Sequence, residues 1–128
     1  MPIVLYTSYF GLMKNSPLAI SIAGETPEGW QGRTYKKLAP KRWIYDQYKK
    51  DGNSLMYALR YATHVLAKLD RKQVALELGY GAILLCHEEP WQFCHRQLVA
   101  EWLSENRDIQ VQELKCPLLR KAVDLESD

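Results

Sequence analysis

Gly79-Tyr80-Gly81-Ala82-Ile83-Leu84-Leu85-Cys86-His87-Glu88 is the stretch that decides the fold. Ala82 to Cys86 is continuously apolar, with no polar alternate, as in a strand covered on both faces of a parallel sheet. Working upstream, Arg71 to Leu78 reads as a short helix. Asp70 with Gln73 three residues on opens it as a capping box, and Gly79 closes it. Before that, Ser54 is the expected N-cap of a longer helix. Leu55, Leu59, Ala62, Leu66 and Leu69 follow at helical spacing and are expected to form its buried stripe. Downstream, Pro90 suits the first turn of a helix whose buried stripe is Leu98, Val99, Trp102 and Leu103. Ile3–Tyr6 and Leu18–Ile22 read as two more strands. Ile109–Leu114 is a fourth, partly alternating and so wet on one face. Strands separated by helices predict an α/β fold: a small layered domain with a mostly parallel sheet of about four strands flanked by helices. Residues 24–40, with three glycines and two prolines, read as a long irregular loop.

A chain of 128 residues fits one domain, here residues 1–122, with an acidic tail over residues 123–128 expected to fray. Its 47% hydrophobic and 25% charged content is that of a globular protein, which excludes collagen-like and disordered classes. No apolar run approaches the roughly 20 residues of a membrane helix. Met1 to Tyr6 shows no basic n-region. With three cysteines used sparingly, these features predict a cytoplasmic location and no membrane partner. The formal charge of +2 argues for no partner by itself, but its distribution is uneven. Arg33 to Lys50 carries seven basic residues against one acid, +6, leaving −4 for the rest of the chain. Tyr35, Trp43, Tyr45 and Tyr48 are interleaved with these cations. Two readings stand side by side. One is a solvated helix face with Trp43, Ile44 and Tyr48 turned inward. The other is a phosphate-and-stacking surface, with Tyr35, Lys36 and Lys37 contacting a nucleotide or nucleic acid.

In parallel sheets ligands sit beyond the carboxyl ends of the strands. Thr7-Ser8 and Cys86-His87-Glu88 are therefore expected at the mouth. Cys94, His95 and Arg96 follow at the helix entry, so two of three cysteines and two of three histidines fall within eleven residues. A thiolate at a helix N-terminus beside a cation has a lowered pKa, and a planar Arg fork holds oxyanions. The first reading is a thiol-dependent enzyme acting on a nucleotide or other phosphate-bearing substrate. Cys94 supplies the thiolate, His95 the proton partner and Arg96 the anion contact; Glu88 is Arg96's nearest internal partner. A phosphatase loop is excluded, because Gln92 and Ala100 stand where Cys-x5-Arg needs arginine. No Cys-x-x-Cys is present, though a Cys86–Cys94 disulfide is within geometric reach. The second reading is zinc held by Cys86, Cys94 and His95, with His87 or Glu88 as a fourth ligand; the spacing matches no standard zinc finger. The third is a binding module using residues 33–50. His64 is given no role, and Cys116 before Pro117 reads as part of a surface turn.

Cys86-x-Glu88-x-Pro90-x-x-Phe93-Cys94-His95-Arg96-x-Leu98-Val99-Ala100-x-Trp102-Leu103 resembles the family labelled domain of unknown function 488. So do Tyr6-Thr7-Ser8-Tyr9-Phe10 and Tyr35-Lys36-Lys37-Leu38-Ala39-Pro40, and the likeness spans about residues 2 to 114. The resemblance implies a Rossmann-like α/β domain whose Cys86, Glu88, Cys94, His95 and Arg96 do metal or catalytic work, with Thr7 and Ser8 beside them. At His87 the family more often carries an aromatic or other residue, so the resemblance gives His87 no essential part.

Overall fold

The computed structural model describes residues 2–88 and 92–114. Five strands, β1 (Ile3–Tyr9), β2 (Ala19–Ser21), β3 (Arg33–Thr34), β4 (Ile83–Cys86) and β5 (Ile109–Glu113), form one sheet in the order β3-β2-β4-β1-β5. Every described pairing is parallel. The helices are α1 (Phe10–Met13), α2 (Arg42–Asp51), α3 (Ser54–His64), α4 (Arg71–Leu78) and α5 (His95–Ser104). The α/β fold and parallel sheet are as the sequence predicts. The additional strand β3 lies inside the expected loop, because a two-residue pairing to Ile20 and Ser21 leaves no hydrophobic pattern to read.

β4 is buried at all four positions, the continuous burial its apolar run implies. Leu84 joins the larger core cluster with Leu5, Ile20, Ile44, Tyr61, Val99 and Leu103, where α2, α3 and α5 cover one face of the sheet. Ile83 and Leu85 join the smaller cluster with Phe10 and Met13 of α1, which covers the other.

Two helix expectations need correction. The N-cap of α3 is Asn53, whose side chain accepts from the Met56 amide, and Ser54 is the first helical residue. The Leu55–Leu59–Ala62 stripe faces outward: Leu55 is 78% exposed and Leu59 58%, whereas Tyr57, Tyr61, Val65 and Leu66 are buried. Aromatic bulk decides which face packs. The Tyr57 and Tyr61 rings stack on each other, and the Tyr61 hydroxyl donates to the Leu38 carbonyl in the core. By contrast, Asp70 caps α4 as expected, accepting from Lys72 and Gln73 amides. In the basic stretch Leu38 and Ile44 are fully buried, while Trp43 is half exposed. Among the described residues no helix is long and apolar enough to cross a membrane. The expected domain boundary at residue 122, the acidic tail, Cys116 and Pro90 itself lie outside the described residues; the helix read as opening at Pro90 begins only at His95, with Cys94 extended as its N-cap.

In urea titrations, Leu55→Ala and Leu59→Ala are each expected to change stability by no more than about 0.5 kcal/mol, as exposed positions do. Tyr61→Phe strips the buried Leu38 carbonyl of its donor and is expected to cost about 1–2 kcal/mol. Equal costs at the leucines and Tyr61 would contradict this packing.

Candidate functional site

The chain leaves β2 toward β3 on one side and leaves β4 toward β5 on the other, and β2 and β4 are neighbours. Their carboxyl ends therefore diverge and open a crevice, the switch point at which parallel sheets bind ligands. A cavity of about 580 Å³ lies there, lined by Ala23–Glu25 after β2 and by Cys86, His87 and Glu88 at and after β4. Its far wall is one face of α2, Arg42, Tyr45, Asp46 and Lys49, at helical spacing i, i+3, i+4 and i+7. Pro40, Tyr57 and His95 complete the lining.

At the floor, Cys86 ends β4 and Cys94 is the N-cap of α5. Their sulfurs are bonded, with Cα atoms 7.5 Å apart. Cys94 is extended (φ −152°, ψ 149°) and His95 begins the helix. That change of backbone turns two adjacent side chains onto one spot, with Cys94 Sγ 3.7 Å from His95 Nδ1. His95 Nε2 lies 2.7 Å from the Ile22 carbonyl oxygen. A carbonyl only accepts, so Nε2 carries the proton and Nδ1 offers its lone pair to the sulfurs. Burial lowers the His95 pKa to about 4, reinforced by the Arg96 charge and opposed by the Ile22 hydrogen bond. At neutral pH the imidazole is uncharged. Cys86, Cys94 and His95 offer three buried metal-ligating atoms within 4.8 Å of one another.

Arg96 is fully buried. Its Nε and Nη2 donate to both oxygens of Glu113 at the end of β5, at 3.1–3.3 Å. Its Nη1 donates to the Glu88 carbonyl at 2.6 Å and contacts Cys86 Sγ at 3.0 Å. The expected carboxylate partner, Glu88, is thus replaced by Glu113. Glu88 meets Arg96 through its backbone, and its own Oε2 is buried with no hydrogen-bond partner among the described residues. The fork expected to hold an anion is filled from within the fold. Burial, then the Glu88 charge, raise the Tyr57 hydroxyl above its ordinary range, so it stays protonated.

Thr7 and Ser8 do not reach the cavity. β1 runs on to Tyr9, so both lie within the sheet, where Thr7 Oγ1 donates to Glu113 Oε1 and Ser8 Oγ to the Leu114 carbonyl. Tyr35 and Lys37 both bind Glu77 at the end of α4, and Arg33 donates to the Glu77 and Leu78 carbonyls. Lys36 donates to the Gly24 carbonyl and so anchors the cavity wall. These groups of the expected phosphate surface serve the fold. His87 donates from Nε2 to the Glu25 carbonyl and packs its ring on Phe10.

The cavity face of α2 was legible as a basic-aromatic stretch but not as part of the cysteine site, from which about forty residues separate it. Glu113 left no signal beyond a lone acid at the end of an alternating strand.

Two measurements check this geometry. Arg96→Lys keeps the charge but loses the fork, and is expected to destabilise the protein by about 2–4 kcal/mol. A variant as stable as wild type would show that the fork is not part of the scaffold. The second concerns pH. The folded His95 pKa of about 4 lies below its unfolded value of 6.5. Its stabilising contribution is therefore complete above pH 6.5 and is lost as pH falls from there toward 4, up to about 3 kcal/mol. His95→Gln, compared by urea midpoints at pH 7 and pH 4.5, is expected to flatten that dependence; an unchanged slope would place the titrating group elsewhere.

The family model DUF488-N3a, described as the active DUF488-N3 subclade, matches residues 10–107. Searches of curated proteins and of solved structures found no match.

Proposed function

We propose, from the premise that the chain belongs to the DUF488 family, that it is a thiol-dependent enzyme acting on a small anionic, ring-bearing molecule such as a nucleotide. Cys86 is the reactive sulfur. One observation carries this reading: Cys86 lines the cavity, and its Sγ lies 3.0 Å from the guanidinium of Arg96. A neighbouring cation favours the thiolate over the thiol. The role first read for Cys94 passes to Cys86, because Cys94 stands behind the wall as its bonding partner. Two electrons and one proton from a thiol reductant open the bond, leaving Cys86 as thiolate and Cys94 as thiol. Neutral His95, anchored on Ile22, presents Nδ1 to accept the Cys94 proton. Arg42 and Lys49 stand on the α2 wall for the ligand's anionic group, and Tyr45 between them offers a ring face.

The test is alkylation of the reduced protein by iodoacetamide at pH 7, read by peptide mass spectrometry. Cys86 is expected to react about tenfold faster than Cys94, and a bound mononucleotide is expected to slow it. Equal slow rates at both cysteines, insensitive to nucleotide, would sink the reading.

A second reading has its own observation. A metal-binding histidine usually donates its other N–H to a backbone carbonyl, as His95 does to Ile22. The Cα separation of 7.5 Å between the cysteines also exceeds the roughly 4.4–6.8 Å usual for disulfides. The donor set of two sulfurs and one nitrogen fits zinc. Titrating the reduced protein with Co2+ separates the two: a 1:1 complex with sulfur charge-transfer bands, abolished by Cys86→Ser, supports the metal, and no bands leaves the free-thiol reading.

A further inference from the structure

We infer that Glu88 is the specificity residue of this cavity, and that its buried Oε2 accepts a hydrogen bond from an amino group on the inner end of a heterocyclic ligand. The inference rests on the proposed nucleotide reading and deepens it. Glu88 lines the cavity beside Cys86, yet its Oε2 is cut off from solvent and meets no donor among the described residues. Leaving a buried acceptor unpaired is costly, and native folds keep such groups for a reason outside the internal bonding. Three neighbouring donors are turned elsewhere. Arg96 is turned to Glu113, Cys86 Sγ and the Glu88 carbonyl. His87 is turned to the Glu25 carbonyl. His95 is turned to Ile22. Among the described residues none is bonded to Oε2, which leaves it open to a donor brought by the ligand.

The rest of the lining orients that ligand. The cations Arg42 and Lys49 belong to α2, the wall opposite β4, and each has a local contact: Arg42 lies 3.8 Å from Asp46, and Lys49 over the Tyr45 ring. The Arg42–Asp46 pair is well exposed and so weakly held, leaving the guanidinium available to an incoming anion. An anionic group thus faces α2, a planar ring spans the Tyr45–Tyr57 interval, and the ring's polar edge meets Glu88. A molecule with an anion at one end and an amino-substituted ring at the other satisfies all three. A site built to bond such a donor discriminates strongly against an analogue that lacks it, because the analogue leaves the acceptor unpaired.

The test uses adenosine 5′-monophosphate and purine riboside 5′-monophosphate, which differ only by the exocyclic amino group. Each is titrated into the reduced full-length chain by calorimetry. The wild type is expected to prefer the amino-bearing ligand by about tenfold or more. Glu88→Met, which fills the space without an acceptor, is expected to bring that ratio to near unity. Glu88→Gln, which keeps an oxygen acceptor and guards against a folding defect in the first variant, is expected to retain most of it. Because the ligand-free carboxylate is unpaired, Glu88→Met is also expected to melt at or above the wild-type temperature. Two nucleotides that bind with equal affinity would overturn the Glu88 assignment and leave the nucleotide reading standing. No binding of either would overturn both. A sharply lower melting temperature for Glu88→Met with an unchanged preference would make Glu88 part of the scaffold.

Discussion

A guanidinium sealed from water is the constraint around which this molecule is arranged. Arg96 is among its largest fully buried side chains, and an uncompensated charge in that position would cost several kcal/mol. The fold compensates it with groups from two strand ends at once. Glu113 comes from the end of β5, the Glu88 carbonyl and Cys86 sulfur come from the end of β4, and Thr7 of β1 steadies Glu113 from between them. Arg96 is the second residue of α5, so satisfying it also fixes where that helix starts. The helix start in turn places Cys94 and His95. The positions of Cys94 and the imidazole thus follow from the electrostatics of one side chain.

The cavity has a different origin. It exists because the connections leaving β2 and β4 run in opposite directions over the sheet. Its floor is shaped by burial and internal hydrogen bonds. Its α2 wall is an amphipathic helix whose buried contact is Ile44 and whose polar stripe looks into the crevice. The neutral His95 and the Arg96–Glu113 pair leave the floor with little free charge, so the cavity's long-range electrostatics come from the wall and from Glu88.

The fold was largely legible in the sequence. The run Ala82–Cys86 is so uniformly apolar that only a central parallel strand accommodates it, and the apolar runs of β1 and β2 supply its partners. What could not be read was the choice between competing stripes. On α3 the leucines at 55 and 59 and the tyrosines at 57 and 61 each fit a helical period, and only tertiary packing decides which face turns inward. The cysteine-histidine-arginine corner was legible because its members are close in sequence. The partnership of Arg96 was not, since Glu113 and Glu88 are chemically equivalent candidates and the register of β5 against β1 selects between them. Thr7 and Ser8 were placed at the mouth because β1 was read as ending at Tyr6; three further paired residues draw them into the sheet.

The unequal burial of floor and wall has a consequence for how such a domain can diversify. Arg42 is among the most exposed side chains facing the crevice, and Asp46 and Lys49 are likewise exposed. Exchanges at these positions leave the folded state nearly as stable as before. Changes at Cys86, Cys94 or Arg96 meet close packing on every side. Substitution can therefore rewrite the wall, one residue at a time, where the floor tolerates little. A lineage built on this plan is free to exchange the molecules it admits long before it is free to exchange the chemistry it performs.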